Sequence, residues 1–159
     1  MEARPASQSV VTMTELVLPS HTNALKSAFG GVIMSWIDIA AAISAQRHSR
    51  QSVVTASIDA LSFVAPVYAG WVVNLKACVN YTGRSSMEVG VRADAENPRA
   101  GETFHVASAY LTFVAIGESG RPIEIPPVLP VTVEEKRRYD AGKHRRELRL
   151  KQKAPSTFG

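Results

Sequence analysis

The sequence predicts an α+β fold: one domain in which a curled antiparallel sheet of about five strands wraps one long buried helix, with a basic helix appended at the C-terminal end. Three observations predict it. Val32 to Ala45 reads VIMSWIDIAAAISA, apolar on nearly every side of a helical wheel, as a helix inside a core must be. Four β-rich runs follow at hairpin-like spacing. A length of 159 residues suits a single domain that buries its core without disulfides or metal staples.

The elements follow from local chemistry. Val10 to Leu18 (VVTMTELVL) reads as a strand, and Pro19-Ser20-His21-Thr22-Asn23 opens a loop of turn formers that delivers the chain to Gly30-Gly31. Two glycines let the backbone turn sharply and approach a neighbour closely, and the helix runs from there to about Arg47. Strands are expected over Val53–Val64, Trp71–Tyr81, Ser86–Ala95 and Thr103–Ile116, separated by turn signals at Pro66 with Gly70, at Thr82-Gly83-Arg84, and from Glu96 to Gly101. Met87 to Asp94 alternates apolar and polar residues, the mark of a sheet with one packed and one wet face. One sheet face cannot cover a helix that is apolar all round, so both a strongly curled sheet and a second subunit are inferred. Pro126, Pro127 and Pro130 exclude helix and make an extended connector. Thr132-Val133-Glu134-Glu135 then resembles a capping box, opening a solvated helix to about Leu150, and the last residues, KQKAPSTFG, are expected to fray. The main domain is placed at residues 1–131, and the basic helix and tail at 132–159.

Composition narrows the function. Cys78 is the only cysteine and lies in an alternating apolar run, so it is read as a buried strand residue; neither a disulfide framework nor a thiolate metal site is available within one chain. The start MEARPASQS lacks the pattern of a secretion signal, and no apolar stretch reaches the roughly 20 residues a bilayer span needs, so a soluble cytoplasmic protein is expected. The net charge of +4 is uneven: Thr132 to Lys153 holds nine Lys or Arg against four Asp or Glu, a local +5 on a body of −1. Such a tail suits a polyanion or a solvated helix face, and composition favours the solvated face.

Asp38, the only charge in the apolar helix, is the most informative residue. An unpaired carboxylate in a core costs several kcal/mol or more to ionise, so it needs hydrogen-bond partners or a task.

Three stretches, taken in order, carry a resemblance: His21-Thr22-Asn23-Ala24, then Phe29-Gly30-Gly31-Val32-Ile33-Met34-Ser35-Trp36-Ile37-Asp38, then Ser62-Phe63-Val64-Ala65-Pro66-Val67-Tyr68-Ala69-Gly70. With Glu134-Glu135-Lys136-Arg137-Arg138-Tyr139 opening the basic helix, they resemble the hotdog-fold acyl-CoA thioesterases, in particular the YciA-like and brain-type acyl-CoA hydrolases. Two positions depart from that pattern. Phe29 stands where many members have His, as it does in the YciA-like subgroup, and Trp71 follows Gly70 where an acidic residue is common.

The resemblance implies hydrolysis of an acyl-CoA thioester to a free acid and coenzyme A. The coenzyme is then part of the substrate and product, and no metal or further cofactor is expected. Asp38 becomes the general base, or the nucleophile of an anhydride intermediate, and the Gly31 backbone amide the oxyanion donor, with Gly30 shaping the turn. Seven residues separate Gly31 from Asp38, roughly 10 Å of helical rise, so the two cannot serve one atom directly. Asn23 matches the family's active-site Asn, which meets the Asp across a dimer interface, and a trimer of dimers is common in the family. For the coenzyme phosphates the expected contacts are Arg84 with Ser85 and Ser86, and Lys136, Arg137 and Arg138 of the basic helix. His21, His48, His105 and His144 lack metal-ligand spacing; His105 is read as a packed or hydrogen-bonded strand residue and His144 as solvated. Neither a GxSxG word nor a Cys–His pairing is present, which argues against a covalent serine or cysteine thioesterase. The rival reading is a non-catalytic acyl-CoA sensor that signals through its tail to nucleic acid; no nucleic-acid partner and no membrane insertion are expected.

Overall fold

A computed structural model describes residues 1–152. In chain order the elements are β1 (Arg4–Pro5), β2 (Val11–Leu16), α1 (Gly30–Ser49), β3 (Ser52–Phe63), β4 (Val72–Thr82), β5 (Ser86–Asn97), β6 (Glu102–Ile116), β7 (Val128–Leu129) and α2 (Val133–Gln152). The main sheet has the order β2-β4-β5-β6-β3, every neighbour antiparallel, and it curls around α1 without closing into a barrel. This is the hotdog arrangement expected from the sequence. The fraying anticipated for the tail from Lys153 onward lies outside the described residues, while Lys151 and Gln152 are still helical. None of the described helices is long and apolar enough to cross a membrane.

The inner face of the sheet supplies Leu75, Val89, Leu111 and Phe113, and α1 presents Ile33, Ile37, Ala40, Ala41 and Ala45, all buried. Alanines at 93, 95, 107, 109 and 115 leave room for the helix to lie close to the strands. The sheet covers only one side of α1. Met34 and Ile39 are 39% and 50% exposed, so the all-round apolar helix is not enclosed within one chain.

Two features escaped the sequence reading. Arg4–Pro5 pairs in parallel with Val128–Leu129, turning the proline connector into half of a small second sheet. The basic helix α2 is not merely solvated: its Gly142 is buried against the outer sheet face, where a Cβ would meet Glu88 Oε1 at 3.0 Å and Tyr81 Cβ at 3.1 Å. Cys78 lies half-buried on that outer face, its Sγ 3.6 Å from Ser9 Oγ, and burial pushes its thiol pKa up.

His48 closes the far end of α1 and is completely buried. Its Nε2 lies 2.7 Å from the Pro126 carbonyl, so Nε2 must carry the proton, and Nδ1 has no partner among the described residues. Burial, reinforced by the nearby Arg4 charge and opposed by the Pro126 bond, lowers the His48 pKa below its ordinary 6.5. The unfolded chain therefore takes up this proton first. The contribution of His48 is intact above pH 6.5 and is lost progressively as pH falls through 6.5 towards the lower folded-state value. Calorimetric melting at pH 7.5 and 5.5 should show a drop of a few degrees for the parent. The drop should shrink in His48→Gln, which keeps a donor towards Pro126 but cannot titrate; an equal drop in both proteins would exclude His48 as the source.

Candidate active site

The loop before α1 is built by side chains that hold one another. Leu18 N–H donates to His21 Nδ1 at 3.0 Å, and the His21 ring meets Trp36 edge-on at 5.1 Å, which ties the loop to the helix. Asn23 Oδ1 accepts from the amides of Leu25 and Ser27, and its Nδ2 donates to Ser27 Oγ. Ala28 N–H donates to the Val67 carbonyl, anchoring the loop on the Pro66–Val67 turn. The chain enters α1 at Phe29, whose carbonyl accepts from Val32 and Ile33; among the described residues nothing accepts from the amides of Gly30 or Gly31.

The two glycines differ. A Cβ on Gly30 would sit 3.0 Å from the Phe63 ring, whereas one on Gly31 would meet nothing within 4 Å. Beside them lies an open groove of about 360 Å³, lined by Ser27, Ala28, Gly30, Ile33, Phe63 and Pro66 among others. The Gly31 amide thus stands without an acceptor, among the described residues, at a helix N-terminus and on a residue that no side chain crowds, which suits an oxyanion.

Two turns along the same helix, Asp38 Oδ1 accepts a 2.8 Å hydrogen bond from Thr55 Oγ1 on β3. Thr55 was not foreseen. It lies seventeen residues from Asp38 on another element, and only the register of β3 brings them together. Asp38 is half-exposed in the single chain rather than buried in a core, because it lies on the side of α1 that the sheet leaves open. Its second oxygen has no partner among the described residues and is available to a water.

Other predicted residues are scattered. Within one chain no hydrogen bond joins Asn23 to Asp38; the Asn23 amide is occupied by its own loop. Arg84, Ser85 and Ser86 lie together at the β4–β5 hairpin, Arg84 exposed, its carbonyl and that of Ser85 accepting from Ile125 and Ala115. Lys136, Arg137 and Arg138 occupy the opening of α2, with Arg137 paired to Glu134 at 2.6 Å. The cation that actually lies over the hairpin is Arg146, whose guanidinium would be 3.0 Å from a Cβ on Gly83. It is about 12 Å of rise beyond Arg138, so the first turn of α2 and the hairpin do not form one cluster along the helix. Trp71 packs edge-on between Tyr68 and Phe104 at 5.1 and 5.5 Å. His105 is hydrogen-bonded as expected, to Asp94 at 3.3 Å and Ser108 at 3.1 Å, and His144 is exposed. Among the described residues no three His, Cys, Asp or Glu side chains gather as metal ligands.

Comparison with known proteins gives a consistent picture. The Thioesterase superfamily profile matches residues 25–102. The chain is 42% identical over 134 residues to the uncharacterized acyl-CoA thioester hydrolase YkhA of Bacillus subtilis, covering 84% of this chain and 78% of that one. It spans only 23% and 38% of longer mouse and rat acyl-CoA thioesterases that it also matches. An apo-hexameric acyl-CoA thioesterase superposes with a TM-score of 0.93 at 41% identity, over 98% of this chain and all of that one. The acyl-CoA hydrolase of Staphylococcus aureus, solved with butyryl coenzyme A, coenzyme A and coenzyme A disulfide, superposes with a TM-score of 0.87 at 37% identity, over 94% and 92% of the two chains. Variants of that hydrolase with an Asp, a Thr or an Asn replaced by Ala have also been solved, and the spacing of those three along its chain equals that of Asp38, Thr55 and Asn23 here.

Proposed function

The chain belongs to the thioesterase superfamily, and from that membership we propose that it hydrolyses an acyl-CoA thioester to a free carboxylic acid and coenzyme A, in a site completed by a second copy of the chain. The observation that carries this reading is the Asp38–Thr55 pair, set on the open side of the helix whose first turn presents the unpartnered Gly31 amide. Thr55 fixes one carboxylate oxygen and leaves the other to hold a water. That oxygen takes a proton as the water attacks the thioester carbonyl carbon. The developing oxyanion lies against the Gly31 N–H, where a preorganised donor contributes most. Collapse of the tetrahedral intermediate expels the coenzyme as thiolate, and the proton on Asp38 leaves with it. General-base chemistry is preferred over attack by Asp38 itself.

The gap between Gly31 and Asp38 is spanned by a dimer. Pairing two copies across the open face sets Asn23 and the Gly31 end of one helix against Asp38 of the other. The Asn, Asp and Thr spacing shared with the Staphylococcus aureus hydrolase supports assigning all three residues to this chemistry. Hexameric relatives suggest that three such dimers assemble further, and a cytoplasmic setting goes with the rat relative named a cytosolic acyl coenzyme A thioester hydrolase.

No observation favours the sensor reading. Arg145 and Arg149 of the basic helix are taken up by Glu88 and Asp59, and Arg137 by Glu134, so part of the basic charge is spent within the chain.

The test is release of free thiol from acetyl-, medium-chain, long-chain and aryl-CoA, read with a thiol-reactive dye. Turnover is expected for at least one class. Binding of acyl-CoA with no turnover across the panel would overturn the hydrolase reading.

A further inference from the structure

On the outer face of the sheet, behind the site, lies a partly buried ionic network, centred on Glu88, that no part of the proposed chemistry uses. The Glu88 side chain is only 1% exposed, yet it accepts two bonds from Arg145, at 2.7 and 3.0 Å, and one from Asn80 at 3.1 Å. Arg145 stacks 3.6 Å over the Tyr110 ring. Arg149, one turn further along α2, lies 3.7 Å from Glu88 and donates to Asp59 of β3 at 3.3 Å. Two glycines make the space: a Cβ on Gly90 would collide with Asn80 Nδ2 at 2.6 Å, and one on Gly142 would press on Glu88 at 3.0 Å.

The strand that this network reaches also carries Thr55. In a regular strand residues four apart share a face, but Thr55 and Asp59 do not. Thr55 pairs with Phe113, a core residue of the inner face, and Asp59 pairs with Tyr110 on the outer face beneath α2. The irregularity between Thr55 and Ser57 produces the switch, and a second one between Asp59 and Ser62, with Ala60 at a φ of 54°, follows at once. Asp59 thus sits in a short run between two bulges. β3 is also an edge strand of the sheet, held by neighbour hydrogen bonds on one side only. If the first bulge moved or relaxed, either Thr55 would turn away from Asp38 or Asp59 would turn away from Arg149.

We propose that Arg149 is a positioning residue: by holding Asp59 it locks the bulged register of β3 that aims Thr55 at Asp38. The C-terminal helix is then a strut for the site rather than a solvated appendage. Arg149 touches no substrate and acts through Asp59, the bulge and Thr55 in turn. The inference rests on the hydrolase reading for its effect on rate, but its effect on β3 does not depend on that reading.

Arg149→Gln and Asp59→Asn are the test, alone and together, in the full-length protein. Each is expected to lower kcat about tenfold with KM for acyl-CoA within about twofold of the parent, and the double variant should be little worse than either single, as coupled partners require. Hydrogen exchange of the amides from Ser57 to Ser62 should quicken in all three. Tyr139→Leu removes a 5.0 Å edge contact with Tyr81 at the opening of α2, about 15 Å of helical rise before Arg149, leaves the Arg149–Asp59 pair in place, and should leave kcat unchanged. Unchanged kcat in the Arg149 and Asp59 variants would overturn the proposal, as would an equal loss in Tyr139→Leu. If the parent hydrolyses no acyl-CoA, the hydrolase reading fails on its own, and unaltered exchange between Ser57 and Ser62 would separately overturn the strut.

Discussion

Asp38→Asn is expected to lower kcat by about a thousandfold, within the range of roughly 10² to 10⁴ that a positioned general base contributes, while coenzyme A binds as tightly as before. The substitution is nearly isosteric. The amide oxygen can still accept from Thr55 Oγ1, so the helix, the strand and the face they share should be preserved. What is lost is the ability to take a proton from water during attack. A loss in kcat and kcat/KM alike, with unchanged binding, assigns the carboxylate to the transition state. Thr55→Val removes the one donor that aims the carboxylate but leaves the base in place, so a smaller loss, about ten- to thirtyfold, is expected. Retention of a tenth or more of parent kcat in Asp38→Asn would dismiss Asp38 as the base.

How far the sequence carried the fold depended on the range of the signal. Strand and helix positions rest on local pattern, and β3 to β6 and both helices lie within a few residues of where that pattern placed them. Long-range facts left no local trace. Glu88 falls in an alternating run and reads as a wet outward residue; it is buried because Arg145, fifty-seven positions later, covers it. The same pairing explains why a run of basic residues looked like a solvated face. Thr55 could not be singled out because a bulge, invisible in a run of Val, Thr, Ala and Ser, decides which way it points. The expected burial of Asp38 differed for another reason: an all-round apolar helix does announce complete burial, but the other half of its covering does not belong to the same chain.

Ile39→Arg is expected to leave the protein monomeric at micromolar concentration and without hydrolase activity. Ile39 follows Asp38 on the uncovered side of α1, half-exposed, with Met34 on the same helix. Phe63 and Val64, at the end of β3, are likewise exposed. Completing the burial of each such side chain, already about half-buried, contributes about half of the 1.5–3 kcal/mol of full burial, and a two-fold contact counts each of them twice. Several together are enough to offset the roughly 4–15 kcal/mol cost of association, especially where the unpaired edge of β3, twelve residues long, offers its backbone groups to a second copy. A guanidinium at the centre of that contact would have to be buried without a partner, which reverses the balance. Activity should disappear with the dimer, because Asn23 and Asp38 do not meet within one chain. Sedimentation shows the first effect and thiol release the second. Mixing Asp38→Asn chains with Asn23→Ala chains separates a shared site from mere loss of stability. In a two-fold dimer of one chain of each kind, one site carries both substitutions and the other neither. Random re-pairing of equal amounts should therefore restore activity to about one quarter of parent, from two variants that are each nearly inactive alone. A stable, active Ile39→Arg monomer, or no recovery on mixing despite exchange of subunits, would place the whole site within one chain.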